Sequence, residues 1–181
     1  MKNITRFRVR YPEEDAAGQH KVANAWLEES VAADLLRARD HLDTLKPGSQ
    51  LILTDWGRTY AQQVALKKAK PDLAANPGTS RHEGGMAVDV AVGELGDTLA
   101  AILHQYDPAT WAGAPAEQVS ELQALYAAAQ HSRQRLVEAY LGQFGFKRVM
   151  EKEPWHFDSD RIAGRSTKEL IKHIGNTEGR P

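Results

Sequence analysis

The sequence predicts an α+β fold, and two observations lead to that prediction. Segments with strand-like alternation are few and short. Segments with helical spacing lie between them, but without the regular strand–helix alternation that produces a parallel sheet. The chain has 181 residues, of which 41% are hydrophobic and 26% charged, which is enough for one domain with a packed core. We therefore expect a single domain over residues 1–181.

In the first part of the chain, weak alternation over residues 5–11 predicts a short edge strand. Apolar residues at helical spacing predict a helix from Asn24 to Leu45, and Pro47 with the glycine after it ends this helix. A short buried strand is expected over residues 51–54. After a turn, a second helix is expected from about residue 59 to residue 70.

Residues 86–92 form the clearest strand pattern. One face is apolar and predicts a core position, while the other face carries Asp89 between two alanines, Ala87 and Ala91. Burial of a carboxylate without a partner costs roughly several kcal/mol. Asp89 is therefore expected to face a compensating charge, and the small alanines leave open space around it.

In the remaining part, residues 94–144 are expected to be mostly helical, with a loop over residues 107–115. A strand is expected over residues 146–150. A short helix from Ser166 to Ile174 has Ser166 or Thr167 as its N-cap. The tail from about residue 176 to residue 181 is expected to be frayed.

Composition excludes several classes of protein. With 23 basic and 24 acidic side chains the net charge is −1, which does not favour a nucleic-acid partner. No apolar run reaches 18 residues, so no membrane span is expected. The N-terminus lacks the apolar region of a signal peptide, so we expect synthesis in the cytoplasm. Cysteine is absent, so a metal would require histidine and carboxylate ligands.

Two segments contain such ligands. His82 and Asp89 are separated by seven positions with a Gly-Gly turn between them, and His156 is the best third ligand. Catalytic zinc sites use three protein ligands of these types and leave one position for water. Glu153 lies three residues before His156 and is expected to act as a general base. Both can face one site only if the backbone at Pro154–Trp155 is irregular.

These segments resemble the D-alanyl-D-alanine carboxypeptidase family of zinc peptidases. Ser80 to Asp89 resembles its S-x-H-x-x-G-x-A-x-D motif, and Glu153 to His156 resembles its E-x-W-H motif. Trp56 to Gln63 resembles an upstream G-Y-R-[ST]-x-x-x-Q segment, although the aromatic residue here precedes the glycine. The three motifs occur in the family's order and span about residues 50 to 160.

The resemblance implies a small central antiparallel sheet with flanking helices, as in hedgehog and D-Ala-D-Ala peptidase domains, and one zinc ion. It implies that His82, Asp89 and His156 bind zinc and that Glu153 is the base. Arg58 would stabilise the oxyanion or bind a substrate carboxylate. It also implies that Arg58, Ser80 and Gln63 contact the substrate, although Ser80 alternatively only caps its turn.

The expected activity is hydrolysis of peptidoglycan stem peptides or another D-amino-acid peptide by a monomer. A D,D-carboxypeptidase, an L-alanyl-D-glutamate-type endopeptidase of a phage lysin that reaches the cell wall after release, and a cytosolic D-Ala-D-Ala dipeptidase all fit the motifs. A non-catalytic zinc-binding module is the alternative from a different class, since hedgehog domains resemble the site. Such a module need not retain a base, whereas Glu153 is present here.

Overall fold

The computed structural model describes residues 1–14, 16 and 18–176, with the backbone alone at residue 162. Its described part contains six strands and six α-helices, in an α+β arrangement with small antiparallel sheets. The strands are β1 (Ile4–Glu14), β2 (His20–Glu28), β3 (Leu53–Asp55), β4 (Ala87–Val90), β5 (Phe146–Arg148) and β6 (His156–Ser159). The helices are α1 (Glu29–Leu45), α2 (Tyr60–Ala69), α3 (Val92–Leu103), α4 (Val119–Ala129), α5 (Arg133–Gly142) and α6 (Thr167–Ile174).

The strands form two sheets. β1 and β2 pair as an antiparallel hairpin, and β3, β4, β6 and β5 form a four-stranded antiparallel sheet in that order. A single parallel bridge between Arg10 and Ile52 joins the hairpin to β3. No helix in the described part of the chain is long and apolar enough to cross a membrane.

The four-stranded sheet has one apolar and one polar face. Met86, Val88, Val90 and Phe157 lie in the hydrophobic core together with buried residues of α1, α3, α4 and α5. The other face carries Asp89 and His156, which are directly opposite each other on β4 and β6. The predicted alternation of β4 is therefore confirmed, and this alternation is what places polar side chains together on one face.

One helix begins later than predicted. Residues 24–28 belong to β2 rather than to the first helix, because they pair with residues 4–8 of β1. The Glu28 carboxylate then ends the strand, since it accepts hydrogen bonds from the backbone N–H groups of Ser30 (2.8 Å) and Val31 (3.3 Å) at the start of α1. Strand β6 was not predicted, and Val92 begins α3 instead of ending β4.

The C-terminal helix packs against the turn that carries His82. Leu170 of α6 lies against Gly84, where an added Cβ would come within 3.0 Å of the leucine Cβ. Most of the predicted frayed tail, residues 177–181, lies outside the described residues. Its first residue, Asn176, is fully buried, and its amide donates hydrogen bonds to the backbone oxygens of Arg58 (3.0 Å) and Glu83 (2.7 Å).

Candidate metal centre

Three elements bring His82, Asp89 and His156 together. His82 lies on a 3-10 turn, Arg81–Gly84, just before β4, while Asp89 and His156 are paired across β4 and β6. Gly85 follows the turn with a φ of 66°, a left-handed conformation that glycine adopts readily. An added Cβ at Gly85 would lie only 2.6 Å from the Glu28 nitrogen, so the turn packs closely against the end of β2. The Gly-Gly turn thus directs His82 towards the two strands.

The ligand atoms of these three residues form a compact triangle. His82 Nε2 lies 3.2 Å from His156 Nδ1 and 3.3 Å from Asp89 Oδ1, and His156 Nδ1 lies 2.9 Å from Asp89 Oδ1. Zinc at about 2.0–2.2 Å from each ligand would place tetrahedral ligand atoms about 3.3–3.6 Å apart. Two edges match this separation closely, and the third is a few tenths of an ångström shorter. The three groups could therefore hold a metal ion.

A second set of hydrogen bonds orients both histidines. His82 Nδ1 lies 2.9 Å from the backbone oxygen of Trp56, and His156 Nε2 lies 3.0 Å from Asp158 Oδ1. With the ring protons assigned to donate in these two bonds, His82 Nε2 and His156 Nδ1 present lone pairs to the triangle. Metal-binding histidines almost always use their other nitrogen in this way. The hydrogen bonds to the outer ring nitrogens therefore fit two metal-binding histidines, as the triangle of ligand atoms also does.

The charges around the triangle favour a cation. Burial alone would raise the pKa of Asp89, but hydrogen bonds with His156 and His82 outweigh burial and lower it strongly. Burial would lower the pKa of His156, yet hydrogen bonds with Asp158 and Asp89 raise it to about 9. Both pKa shifts indicate that positive charge is stabilised here, because the carboxylates of Asp89 and Asp158 lie beside the histidines.

Glu153 lies in the turn that leads into β6. The His156 N–H donates to the Glu153 oxygen (3.1 Å), so residues 153–156 make a tight turn, and the irregular backbone that the sequence requires is present. Glu153 is half-buried, and its carboxylate makes no hydrogen bond or ion pair with any described residue. It is also outside the metal-ligand triangle that the described residues form. Glu153 is therefore not one of the candidate ligands that the structure groups together.

Arg58 is tied to the same region through its backbone and its side chain. Its N–H donates to the His82 oxygen (3.0 Å), so the loop after β3 lies against the histidine turn. Its side chain is only 11% exposed, and its guanidinium donates to Asp55 and to Gln63. Gln63 is fully buried on α2, where it also donates to the Ala75 oxygen (2.8 Å). Its buried position makes Gln63 a support for the arginine fork.

Ser80 begins the histidine turn and is buried. Its N–H donates to the Glu83 carboxylate (3.2 Å), which also accepts from the Gly78 N–H (2.7 Å). These bonds to the Glu83 carboxylate stabilise the turn from within. A capping role of the Ser80 side chain itself stays a prediction. A role of Ser80 in substrate binding stays a prediction.

Sequence reasoning missed two residues that support the site. Asp158 orients His156, and a signal for it existed, since residues two apart on a strand share a face. Asp55 binds the arginine fork and is paired with Asp89 across β3 and β4. Its place beside the site depends on the strand order, which the sequence pattern does not reveal.

Comparison with known proteins found similarity among solved structures only. No family model matches the chain, and no curated protein matches it. Among solved structures, the chain is similar to a mutant of the vancomycin-resistance D,D-pentapeptidase VanY from a VanB-type resistance cassette, crystallised in complex with Zn(II). The sequence identity is 18%, the alignment covers 90% of this chain and 93% of that one, and the TM-score is 0.41.

Proposed function

We propose that this chain is a zinc-dependent peptidase that acts on the stem peptides of peptidoglycan. The observation that supports it best is the triangle of His82 Nε2, Asp89 Oδ1 and His156 Nδ1, whose edges of 2.9–3.3 Å are close to those of a tetrahedral zinc site. Two histidines with one carboxylate are a typical ligand set of catalytic zinc sites, which leave a fourth position open. The chemical type of the ligands therefore favours a catalytic over a purely structural metal.

Zinc in this site would supply Lewis acidity, which lowers the pKa of water towards ~7 and polarises a carbonyl oxygen. Side chains of the protein would transfer the proton and stabilise the developing charge. Glu153 has a half-buried carboxylate that the described residues leave unengaged, so it is the group suited to accept a proton from the attacking water. It would later return that proton to the amine that leaves when the peptide bond breaks.

Arg58 would contribute charge at a fixed position. Asp55 and Gln63 hold its guanidinium, and its backbone is bonded to that of His82. A planar, pre-oriented fork is well shaped for a carboxylate or for the developing oxyanion. We propose this role for Arg58, with Gln63 as its buried support.

The substrate class comes from the motifs in the sequence rather than from geometry. Ser80–Asp89 and Glu153–His156 resemble the family that cleaves peptides with D-residues. A D,D-carboxypeptidase, an L-alanyl-D-glutamate-type endopeptidase and a D-Ala-D-Ala dipeptidase differ in the bond they cut. The non-catalytic zinc-binding module is the competing proposal, and Glu153 is the residue that distinguishes it from the peptidase.

The decisive experiment compares muropeptides before and after incubation with the zinc-loaded protein, by mass spectrometry, with and without a chelator. We expect Glu153→Gln to keep its zinc and its thermal stability, while hydrolysis falls by about 10²- to 10⁴-fold because the amide cannot accept a proton. Glu151→Gln is the matched control, since it is an exposed carboxylate in the same loop. It should cut at the wild-type rate.

Three results would contradict the proposal in different ways. Loss of zinc from Glu153→Gln would make Glu153 a ligand. Full zinc content in both His82→Ala and His156→Ala would remove the metal assignment. A wild-type protein that holds zinc tightly but cuts no stem peptide would be the binding module instead.

A further inference from the structure

The end of helix α6 fixes the backbone of Asn176. Gly175 follows the helix with a φ of 64°, and its N–H donates to the Lys172 oxygen (3.1 Å). The Asn176 N–H donates to the Ile171 oxygen (3.1 Å), and these two bonds form a Schellman motif. Three side chains of α6 are fully buried, namely Leu170, Ile171 and Ile174. The helix is therefore packed against the rest of the protein, and its end determines where Asn176 lies.

The side chain of Asn176 is fully buried, and its amide connects two distant segments. Its Nδ2 donates to the backbone oxygens of Arg58 (3.0 Å) and Glu83 (2.7 Å). A carbonyl oxygen only accepts, so the amide is assigned with its nitrogen, rather than its oxygen, towards both partners. The two N–H donors of one side chain thus hold segments that lie 118 and 93 residues earlier in the chain.

Arg58 and the His82 turn also contact each other directly. The Arg58 N–H donates to the His82 oxygen (3.0 Å), and Glu83 directly follows His82. The three hydrogen bonds close a ring that consists of Arg58, the His82–Glu83 peptide and the Asn176 amide. One member of this ring carries the arginine fork, and another carries a candidate metal ligand. The separation between the fork and the ligand is therefore set twice, once directly and once through Asn176.

We propose that Asn176 is a positioning residue of the metal centre, which holds the His82 turn and the Arg58 loop at the separation needed for their joint action on one substrate. Its side-chain hydrogen bonds go to backbone atoms, so it acts through Arg58 and Glu83 rather than by contact with a substrate. The part of this inference that concerns Arg58 rests on the proposed peptidase function. The part that concerns metal binding by His82 does not depend on the substrate.

Loss of the amide should affect both His82 and Arg58. Without its two donors, the oxygens of Arg58 and Glu83 lose a buried partner, and the His82 turn can shift relative to β4 and β6, which carry the other two candidate ligands. A displacement of about 1 Å that originates far from the reacting atoms can lower a rate about 10²-fold. A residue that only stabilises the fold would change neither the zinc affinity nor the turnover of chains that remain folded.

The first measurement is the zinc affinity, from competition with a chromophoric chelator well below the unfolding temperature of every variant. Asn176→Leu keeps the branched shape of the side chain and removes both donors, whereas Asn176→Ala also removes most of its volume. Leu122→Ala is the matched control, because it removes buried volume from α4, which carries none of the proposed site residues.

Both Asn176 variants should bind zinc about three- to tenfold more weakly, the effect expected when support worth about one hydrogen bond is lost. Leu122→Ala should bind zinc like the wild type, even though its Tm falls by as much or more. Comparison of affinity with Tm thus separates positioning of the site from stability of the fold.

The second measurement is kcat/KM for a free stem pentapeptide, at a zinc concentration that loads every variant. Asn176→Leu should lower kcat/KM at least about tenfold when Arg58 is present. In an Arg58→Lys background the same change should cost less than about threefold, because the planar fork that Asn176 positions is no longer there.

Unchanged zinc affinity in both Asn176 variants, or an equal loss in Leu122→Ala, would overturn the proposal, since the amide would then serve stability alone. Additive effects of Asn176→Leu and Arg58→Lys on hydrolysis would overturn it as well. So would failure of both Asn176 variants to fold, because Asn176 would then determine the fold rather than the site. The proposed function fails separately: a wild type that binds zinc but cuts no stem peptide contradicts the peptidase, and the zinc affinities still decide the role of Asn176.

Discussion

The hydrogen bond between Asp158 and His156 allows a quantitative test of the metal centre. Asp158 Oδ1 lies 3.0 Å from His156 Nε2 and fixes the ring so that Nδ1 faces Asp89 and His82. Asp158→Ala removes this support without removing a ligand. We expect the zinc affinity to fall about 10- to 100-fold, the range observed when such outer partners of metal ligands are lost.

A second effect opposes the first and makes the result depend on pH. Although burial lowers the pKa of His156, hydrogen bonds with Asp158 and Asp89 raise it to about 9, so below pH 9 a proton competes with zinc for His156 in the metal-free chain. Loss of Asp158 lowers this pKa and weakens that competition. The variant therefore recovers part of its affinity at pH 7 but not at pH 9. The loss of zinc affinity should be larger at pH 9.

The assay is a competition for zinc against a chromophoric chelator at both pH values. Asp158→Asn keeps a neutral acceptor and should lie between Asp158→Ala and wild type. Asp160→Asn is the matched control, because it removes the same charge two residues further along without any hydrogen bond to His156. Unchanged affinity in Asp158→Ala, or an equal loss in Asp160→Asn, would refute the reasoning.

Three further predictions concern Arg58, the turn at Gly85 and the ion pair between Asp34 and Arg161. Arg58→Lys should keep zinc yet lose at least about tenfold in hydrolysis, because an ammonium cannot reproduce the planar fork; wild-type turnover would leave Arg58 a structural ion pair. Gly85→Ala should lower the free energy of unfolding, measured in urea, by at least about 2 kcal/mol. The reason is that φ is 66° and the new Cβ would lie 2.6 Å from the Glu28 nitrogen. A decrease of less than about 0.5 kcal/mol would show that the turn rearranges easily. Hydrogen bonds from Arg161 hold the pKa of Asp34 below its usual value near 3.8, so its carboxylate stabilises the fold above that pH and the contribution disappears as pH falls through the lowered pKa. Asp34→Asn should therefore destabilise the protein more at pH 7 than at pH 3, and equal destabilisation at both would contradict this.

The grouping of the three candidate metal ligands could be predicted because their signals are local. Strand alternation places Asp89 opposite the core face, and a Gly-Gly turn and a proline turn mark the two places where the backbone departs from regular structure. Each of these features depends on a few neighbouring residues. The sequence therefore contains enough information to bring His82, Asp89 and His156 into one proposal.

The missed features depend on contacts between distant parts of the chain. The sequence of residues 24–28 does not by itself indicate a strand. Pairing with β1 determines their conformation. Asn176 lies at the start of the terminal segment that is expected to be frayed, yet its amide bridges the backbones of Arg58 and Glu83. A polar residue next to a chain end gives no indication of such a bridge, because its partners are 118 and 93 residues away.

The distribution of hydrogen bonds over the site is consistent with the proposed peptidase. Trp56 and Asp158 fix the two histidines, and Asp55 and Gln63 fix Arg58, so these side chains are held rigidly. Glu153 differs from them, since it is half-buried and its carboxylate is unengaged by the described residues. A structural zinc site is closed by four protein ligands, whereas the described residues supply three here. Three rigidly held candidate ligands, and an unengaged carboxylate three residues before one of them, fit the proposed hydrolysis, in which Glu153 would accept a proton.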